Sequence, residues 1–311
     1  TSAAMQDGSK KAIIAAFLAN ATIAVAKLVG FFLTGAASML AEAVHSSADA
    51  GNQGLLFLGG ARARKTATPD HPFGYGRERY FWSFVVALVL FTLGGLFALY
   101  EGFEKLRRPH EIESATVAFV ILTIAIIVEA ISFRTAIKES LHVKGKESWW
   151  QFIRRSKTPE LPVVLLEDLG ALVGLILAVG GLGMAEITGN PRWDAVGSIA
   201  IGSLLVIIAV ILVIEMKGLL IGEAASPATL ASIQQTMEST DRVQKVIHVK
   251  TQHIGPDELL VGAKLSFDAG LDLPALAEAL NEVEHRVRQA VPAARVIYIE
   301  PDIERSQPPA V

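Results

Sequence analysis

The run Glu42-Ala-Val-His45-Ser-Ser-Ala-Asp49-Ala-Gly-Asn52-Gln53 sets an imidazole and a carboxylate four residues apart inside a long apolar stretch. On a helix that spacing stacks His45 and Asp49 on one face, within reach of a common ion. Glu42 and Asn52 lie three residues outward on either side, on roughly the same stripe. A charged group at the middle of a bilayer costs about 2.5–3.5 kcal/mol on insertion scales. Such residues line an ion or proton path, or they clamp helices together as a buried polar network, and we read the path here. A second interruption is Pro162-Val-Val-Leu-Leu-Glu167-Asp168-Leu-Gly170, with two adjacent carboxylates and no basic residue nearby in sequence. Two anions without a partner in hydrocarbon need a cation or protons. Neighbours on a helix point about 100° apart, so one of Glu167 and Asp168 should face His45 and Asp49. Spacing alone does not decide which.

One imidazole nitrogen and several carboxylate oxygens suit Zn²⁺. Harder, oxygen-rich sites lean to Mn²⁺ or Mg²⁺, and imidazole also accepts Co²⁺, Ni²⁺ and Fe²⁺. Both ligand types bind metal only when deprotonated. The residues therefore predict a site that loads a divalent cation at one membrane face and releases it as protons arrive at the other. The metal is then cargo, and no prosthetic group is expected.

Crossing a hydrocarbon core of about 30 Å takes roughly 20 mostly apolar helical residues. Six stretches qualify, near Ala12–Thr34, Ala36–Gly59, Phe81–Phe103, Ala115–Ile137, Leu161–Gly183 and Ala195–Leu219. The second and fifth are weakened by the ionisable residues above. From Glu223 onward the pattern is that of a soluble domain: a helix over Pro227–Ser239, strands over Val243–Thr251 and Leu259–Phe267, a helix over Pro274–Val291 and a strand over Arg295–Ile299. That order suits a small α+β sandwich, ferredoxin-like, with two helices on one face of a sheet. The expected organisation is a tail at 1–11, a six-helix transmembrane domain at 12–220 and a cytoplasmic α+β domain at 221–311.

Among the 311 residues 51% are hydrophobic, 19% are charged, the net charge is −3 and there is no cysteine. The small charge argues against nucleic acid as a partner, and the missing thiols exclude disulfides and thiolate metal sites. Lys and Arg crowd Lys10–Lys11, the loop after span two and the loop after span four, which puts both termini on the cytoplasmic side. Lys105, Arg107 and Arg108 break that rule amid Glu101, Glu104, Glu111 and Glu113. The short polar N-terminus and the Ala-rich composition suggest a bacterial inner membrane, which is the expected location. Trp149-Trp150-Gln-Phe152 beside Arg154-Arg155 reads as an interfacial anchor.

The chain resembles the cation diffusion facilitators over nearly its whole length. The matching residues are the His45-Ser-Ser-Ala-Asp49 segment, His71-Pro-Phe-Gly74-Tyr75-Gly76-Arg77-Glu78-Arg79, Tyr100-Glu101-Gly102 with Arg107-Arg108-Pro109, and Val296-Ile-Tyr-Ile-Glu300-Pro301. The resemblance implies a proton-coupled exporter of Zn²⁺ or a related ion, a homodimer paired through its tail domains, and four ligands, two on span two and two on span five. One departure is Val163 or Val164 where the family carries a His or Asp. The Leu-Leu-Glu167-Asp168 run is similar to the branch of the mitochondrial zinc transporter. There the small residues that follow favour Glu167 as the ligand, and side-chain identity favours Asp168. Asp70 and His71 remain from a second metal site of the family, with Tyr75 replacing a further His. In the tail, His248, His253, Glu300 and Asp302 stand near a possible accessory metal site, and Tyr298 replaces one expected His. Asn20, Lys27, Glu101 and Glu129 are further intramembrane polar residues, none expected to be a ligand. Lys27 is expected to pair with a carboxylate or to snorkel.

An enzyme is not expected, since the cluster has no His-Glu-x-x-His and no separate nucleophile or base. The competing class is a non-transporting membrane metal sensor with the tail as output. Within transport, export of Mn²⁺, Co²⁺, Fe²⁺ or Ni²⁺ is the alternative to Zn²⁺.

Overall fold

The computed structural model describes residues 21–109 and 115–303. Helices α1 (Ala21–Thr34) and α2 (Ala37–Ala63) meet at Gly35, whose φ of +62° suits a residue without Cβ. The rod Glu78–Arg107 is α3 (Glu78–Val89), a π-helical stretch Leu90–Leu96 and α4 (Phe97–Arg107). Then come α5 (Ala115–Lys144), the short α6 (Trp149–Arg155), α7 (Glu160–Thr188) and α8 (Arg192–Ile221). Pro159 and Pro162 open α7, where a missing N–H costs nothing, and Gly189 at φ +64° closes it. A capping box of Ser148 and Gln151 starts α6.

Four of these helices are long and apolar enough to cross a membrane, namely Glu78–Arg107 and the helices beginning at Ala115, Glu160 and Arg192. Six spans were expected, and the other two fall short for different reasons. α1 is described only from Ala21, with residues 12–20 of its expected span outside the described residues. α2 has 27 residues, about 40 Å at ~1.5 Å each, but its row of polar residues lowers its hydropathy below that of a lipid-facing helix.

The chain divides into two units. One contains the helices up to Arg62 and Phe81–Lys217; the other joins Ala63–Tyr80 to the chain from Gly218 onward. The core of the first includes Met39, Val86, Leu90, Leu122, Val163, Leu175, Ile201 and Leu205. α8 packs against its neighbours through glycines: a Cβ on Gly202 would lie 2.7 Å from the Leu99 backbone nitrogen, and one on Gly181 2.9 Å from the Trp193 carbonyl oxygen.

In the second unit α9 (Pro227–Glu238), β1 (Val243–Gly255), β2 (Glu258–Phe267), α10 (Leu273–Ala290) and β3 (Ala294–Pro301) follow in the expected order, each within a few residues of its expected bounds. The sheet order is β1-β2-β3, with β1 antiparallel and β3 parallel to β2. On β2 Leu259, Val261, Ala263 and Leu265 alternate into a core shared with Ile233 and Met237 of α9 and Val283 and Val287 of α10. Both helices thus cover one face of the sheet.

Candidate metal site

α2 and α7 bring the two polar interruptions together. Asp49, Asn52 and Glu167 are all buried, at 7%, 0% and 4% exposure. Asn52 donates its side-chain N–H to Glu167 Oε1, and the Asp49 and Glu167 carboxyls are themselves in hydrogen-bonding contact. Asn52 Oδ1 is buried and has no hydrogen-bond partner among the described residues. Two carboxyl groups and an amide oxygen from two helices thus meet inside the helical unit. Packing has a direct hand in this: Gly170, one turn after Glu167, leaves room for Ile208 and Leu205 of α8.

Asp168 points elsewhere. Its Oδ2 accepts from Ser132 Oγ of α5 at 2.9 Å, as the offset of about 100° between helix neighbours requires. Glu167 is therefore the carboxylate that meets Asp49. Val163 stands one turn before Glu167, fully buried in the apolar core, and offers no ligand atom. The backbone of α2 is helical through Glu42 and His45, whose side chains lie outside the described residues. Among the described residues no group of three or more His, Cys, Asp or Glu side chains closes around a single point.

Two intramembrane polar residues that were not expected to be ligands act on this site. Glu129 of α5, buried, interacts electrostatically with both Asp49 and Glu167. Lys27 of α1, fully buried, donates to Ser46 Oγ at 2.6 Å and interacts electrostatically with Asp49. Lys27 thus stays inside on a serine hydroxyl, with Asp49 within electrostatic reach, and does not snorkel. Glu129 and Ser132 lie three apart on one face of α5, and that spacing was a readable signal.

The accessory candidates fall in the second unit. His71 stacks its ring on Tyr75, centroids 4.6 Å apart, and pairs its backbone with Thr68; Asp70 is exposed beside it. In the tail, His248 is opposite Lys264 and Lys264 opposite Glu300 in the strand register. Lys264 Nζ lies 3.0 Å from both Glu300 Oε1 and Asp302 Oδ2, and these acids hold its ammonium above the usual lysine range. His253 is buried, its ring nitrogen 3.4 Å from the Gly255 carbonyl. Glu300 and Asp302 thus already share a cation, Lys264.

A family model, the cation efflux transmembrane domain, matches residues 13–221. The chain belongs to the cation efflux family. It is 34% identical over 264 residues to the proton-coupled zinc antiporter SLC30A9, mitochondrial, of Xenopus laevis, covering 84% of this chain and 47% of that protein. The protein of the same name in Homo sapiens is 31% identical, with 84% and 46% covered. The zinc transporter ZitB of Pectobacterium atrosepticum is 25% identical over 260 residues, 82% of this chain and 75% of that one. The chain thus spans about half the length of the mitochondrial relatives. The resemblance to their branch of the cation diffusion facilitators holds.

The bacterial inner membrane expected from composition is overturned, because the relatives at 31–34% identity are mitochondrial by name. Alanine content reflects tolerance of small residues in helices and carries no address. The placement of both termini on one side was read from the Lys and Arg of the loops and does not depend on the membrane; only the name of that side, cytoplasmic, was tied to a bacterial cell.

Proposed function

We propose that this chain is a Zn²⁺/H⁺ antiporter of six spans with a ferredoxin-like tail, acting as a homodimer in a mitochondrial membrane. The observation that carries the reading is the buried contact between Asp49 and Glu167, held across α2 and α7 by Asn52. Two carboxyl groups that close, away from water, need a proton or a cation between them. Exchange of one for the other is the elementary step of metal/proton antiport. His45, one turn before Asp49 on α2, supplies the nitrogen that favours Zn²⁺ over Mg²⁺. Glu167, more than Asp168, completes the set; Asp168 positions α7 against α5 through Ser132. Zinc and the proton counter-ion are supported by the names of the relatives.

Six spans follow if α1 begins near residue 12 and α2 crosses with its polar row turned to other helices instead of lipid. The β1-β2-β3 sheet under α9 and α10 supports the ferredoxin-like reading. The basic loops after α2 and α5 would then share one side of the membrane.

The test is uptake of Zn²⁺, Mn²⁺, Co²⁺, Fe²⁺, Ni²⁺ and Mg²⁺ into proteoliposomes with and without an imposed pH gradient. Gradient-driven Zn²⁺ flux that is lost in Asp49→Ala is the expected result. Stoichiometric binding without flux of any ion would instead make the protein a metal sensor.

A further inference from the structure

Lys27 is a cation with no part in the exchange just described, yet it is sealed inside the helical unit with no side-chain exposure. An ammonium in such a place is costly unless something needs its charge. Its Nζ donates to Ser46 Oγ at 2.6 Å, and Ser46 is itself buried. Ser46 follows His45 directly and precedes Asp49 by three residues, so the hydroxyl that holds the ammonium lies one turn from the Asp49 carboxylate on the same helix. The two charges interact across that short gap, while Glu129 and Glu167 bear on Asp49 with the opposite sign.

We propose that Lys27 is a tethered counter-cation of the transport site, which offsets the negative charge at Asp49 when no metal is bound and weakens metal binding by repulsion when one is. This rests on Asp49 and Glu167 being the transport site. A divalent cation entering a nest of carboxylates in a low-dielectric interior would be held too tightly to leave. A fixed positive charge one turn away lowers that affinity without blocking the site, and it stays in place when the ion departs. Ser46 keeps the ammonium on α2, and α1 anchors its stem, so the charge moves with neither metal nor proton. Lys27 is accordingly a positioning and affinity-setting residue; it is not a ligand.

The experiment measures Zn²⁺ affinity of the purified full chain in detergent by competition with a fluorescent chelator, and Zn²⁺ flux in proteoliposomes. Lys27→Gln should bind Zn²⁺ at least about tenfold more tightly, a lower bound for one nearby charge acting on a divalent ion in a partly shielded interior. Its KM and kcat should both fall, because release becomes slow. Lys27→Arg, which keeps the charge, should stay near wild type in both. A residue that merely packs α1 on α2 would instead weaken binding and would not be rescued by charge. Should Lys27→Gln fail to fold, Ser46→Ala serves. It keeps every charge but releases the ammonium onto Asp49, so binding should weaken several-fold and recover in Ser46→Thr, which keeps the hydroxyl that holds Lys27. Unchanged or weaker binding in a folded Lys27→Gln, or unchanged binding in Ser46→Ala, overturns the proposal. If the wild-type chain binds no Zn²⁺, the transport-site reading fails first and takes this proposal with it.

Discussion

Asn52 grips Glu167 with its amide nitrogen while its carbonyl oxygen is left without a donor among the described residues. An amide so placed orients the carboxylate and can add an oxygen to a metal. A hydrogen bond to a charged group contributes about 1.5–3 kcal/mol, so Asn52→Ala should lower Zn²⁺ flux by roughly 10–100-fold at that conversion. Asn52→Ala at wild-type rate in the proteoliposome assay would mean that the amide only packs. The two neighbouring acids separate in the same assay. Glu167→Gln should abolish flux, whereas Asp168→Asn, which keeps a hydrogen-bonding partner for Ser132, should retain most of it. The reverse ranking would transfer the ligand role to Asp168. Which acid faces Asp49 was not readable from the Glu167-Asp168 pair itself, because the answer depends on how α7 is rotated by its packing on α5 and α8.

Elements were legible to different degrees, and the physics says why. In the tail, period-2 alternation on β2 and the Asp272 cap with Pro274 opening α10 are strong local signals, so the order of helices and strands was readable to within a few residues. α2 was readable as a helix and as a site for the same reason, its polar row. The π-helical stretch Leu90–Leu96 left no such trace. It coincides with a tertiary feature that spacing does not show: Gly95 and Gly202 sit where the backbone of this rod and α8 approach closely. That contact yields a prediction at the level of the element. Gly202→Val puts side-chain atoms into the Leu99 backbone and should lower thermal stability in detergent by an overpacking cost of about 1–3 kcal/mol. Gly51→Ala on α2, where a Cβ meets nothing within 4 Å, should melt like wild type. Equal melting of the two variants would show that α8 is free to shift. The β2–β3 pair gives a pH signature. Lys264 is held above its ordinary value by Glu300 and Asp302. The stability it adds is therefore complete below the unfolded lysine value of about 10.4 and is lost only as pH rises through the higher folded value. In calorimetry of the full chain, the gap between wild type and Lys264→Met should hold steady from neutral pH to about 10 and close above that. A gap already closing near neutral pH would rule the ion pair out as its source.

At the scale of the molecule, the relatives and the paired carboxyls point the same way, but dimerisation rests on the family resemblance alone. Light scattering in detergent should return twice the chain mass of 33.2 kDa after subtraction of the micelle, and a monomeric mass with intact flux would remove the homodimer from the proposal. The second unit is the larger departure from a simple reading of the chain, because Ala63–Tyr80 belongs to it. Gly76 sits so near the β1–β2 turn that a Cβ would come within 2.8 Å of the Ile254 carbonyl oxygen, and Arg79 reaches Asp257 at 3.3 Å. No periodicity announces this, since the segment is short, polar and far from its partners in sequence.

Time of synthesis gives that arrangement a further meaning. At about 5–20 residues per second, the segment around Gly76 leaves the ribosome roughly 10–35 s before the hairpin at Gly255 exists. For that interval it is a strip of chain with its docking surface still unmade, exposed to proteases and to wrong partners. Deleting the chain after Gly218 would make that condition permanent. A truncated protein should therefore suffer in yield for reasons unconnected with the tail's own activity, and a fair deletion would replace Ala63–Tyr80 as well.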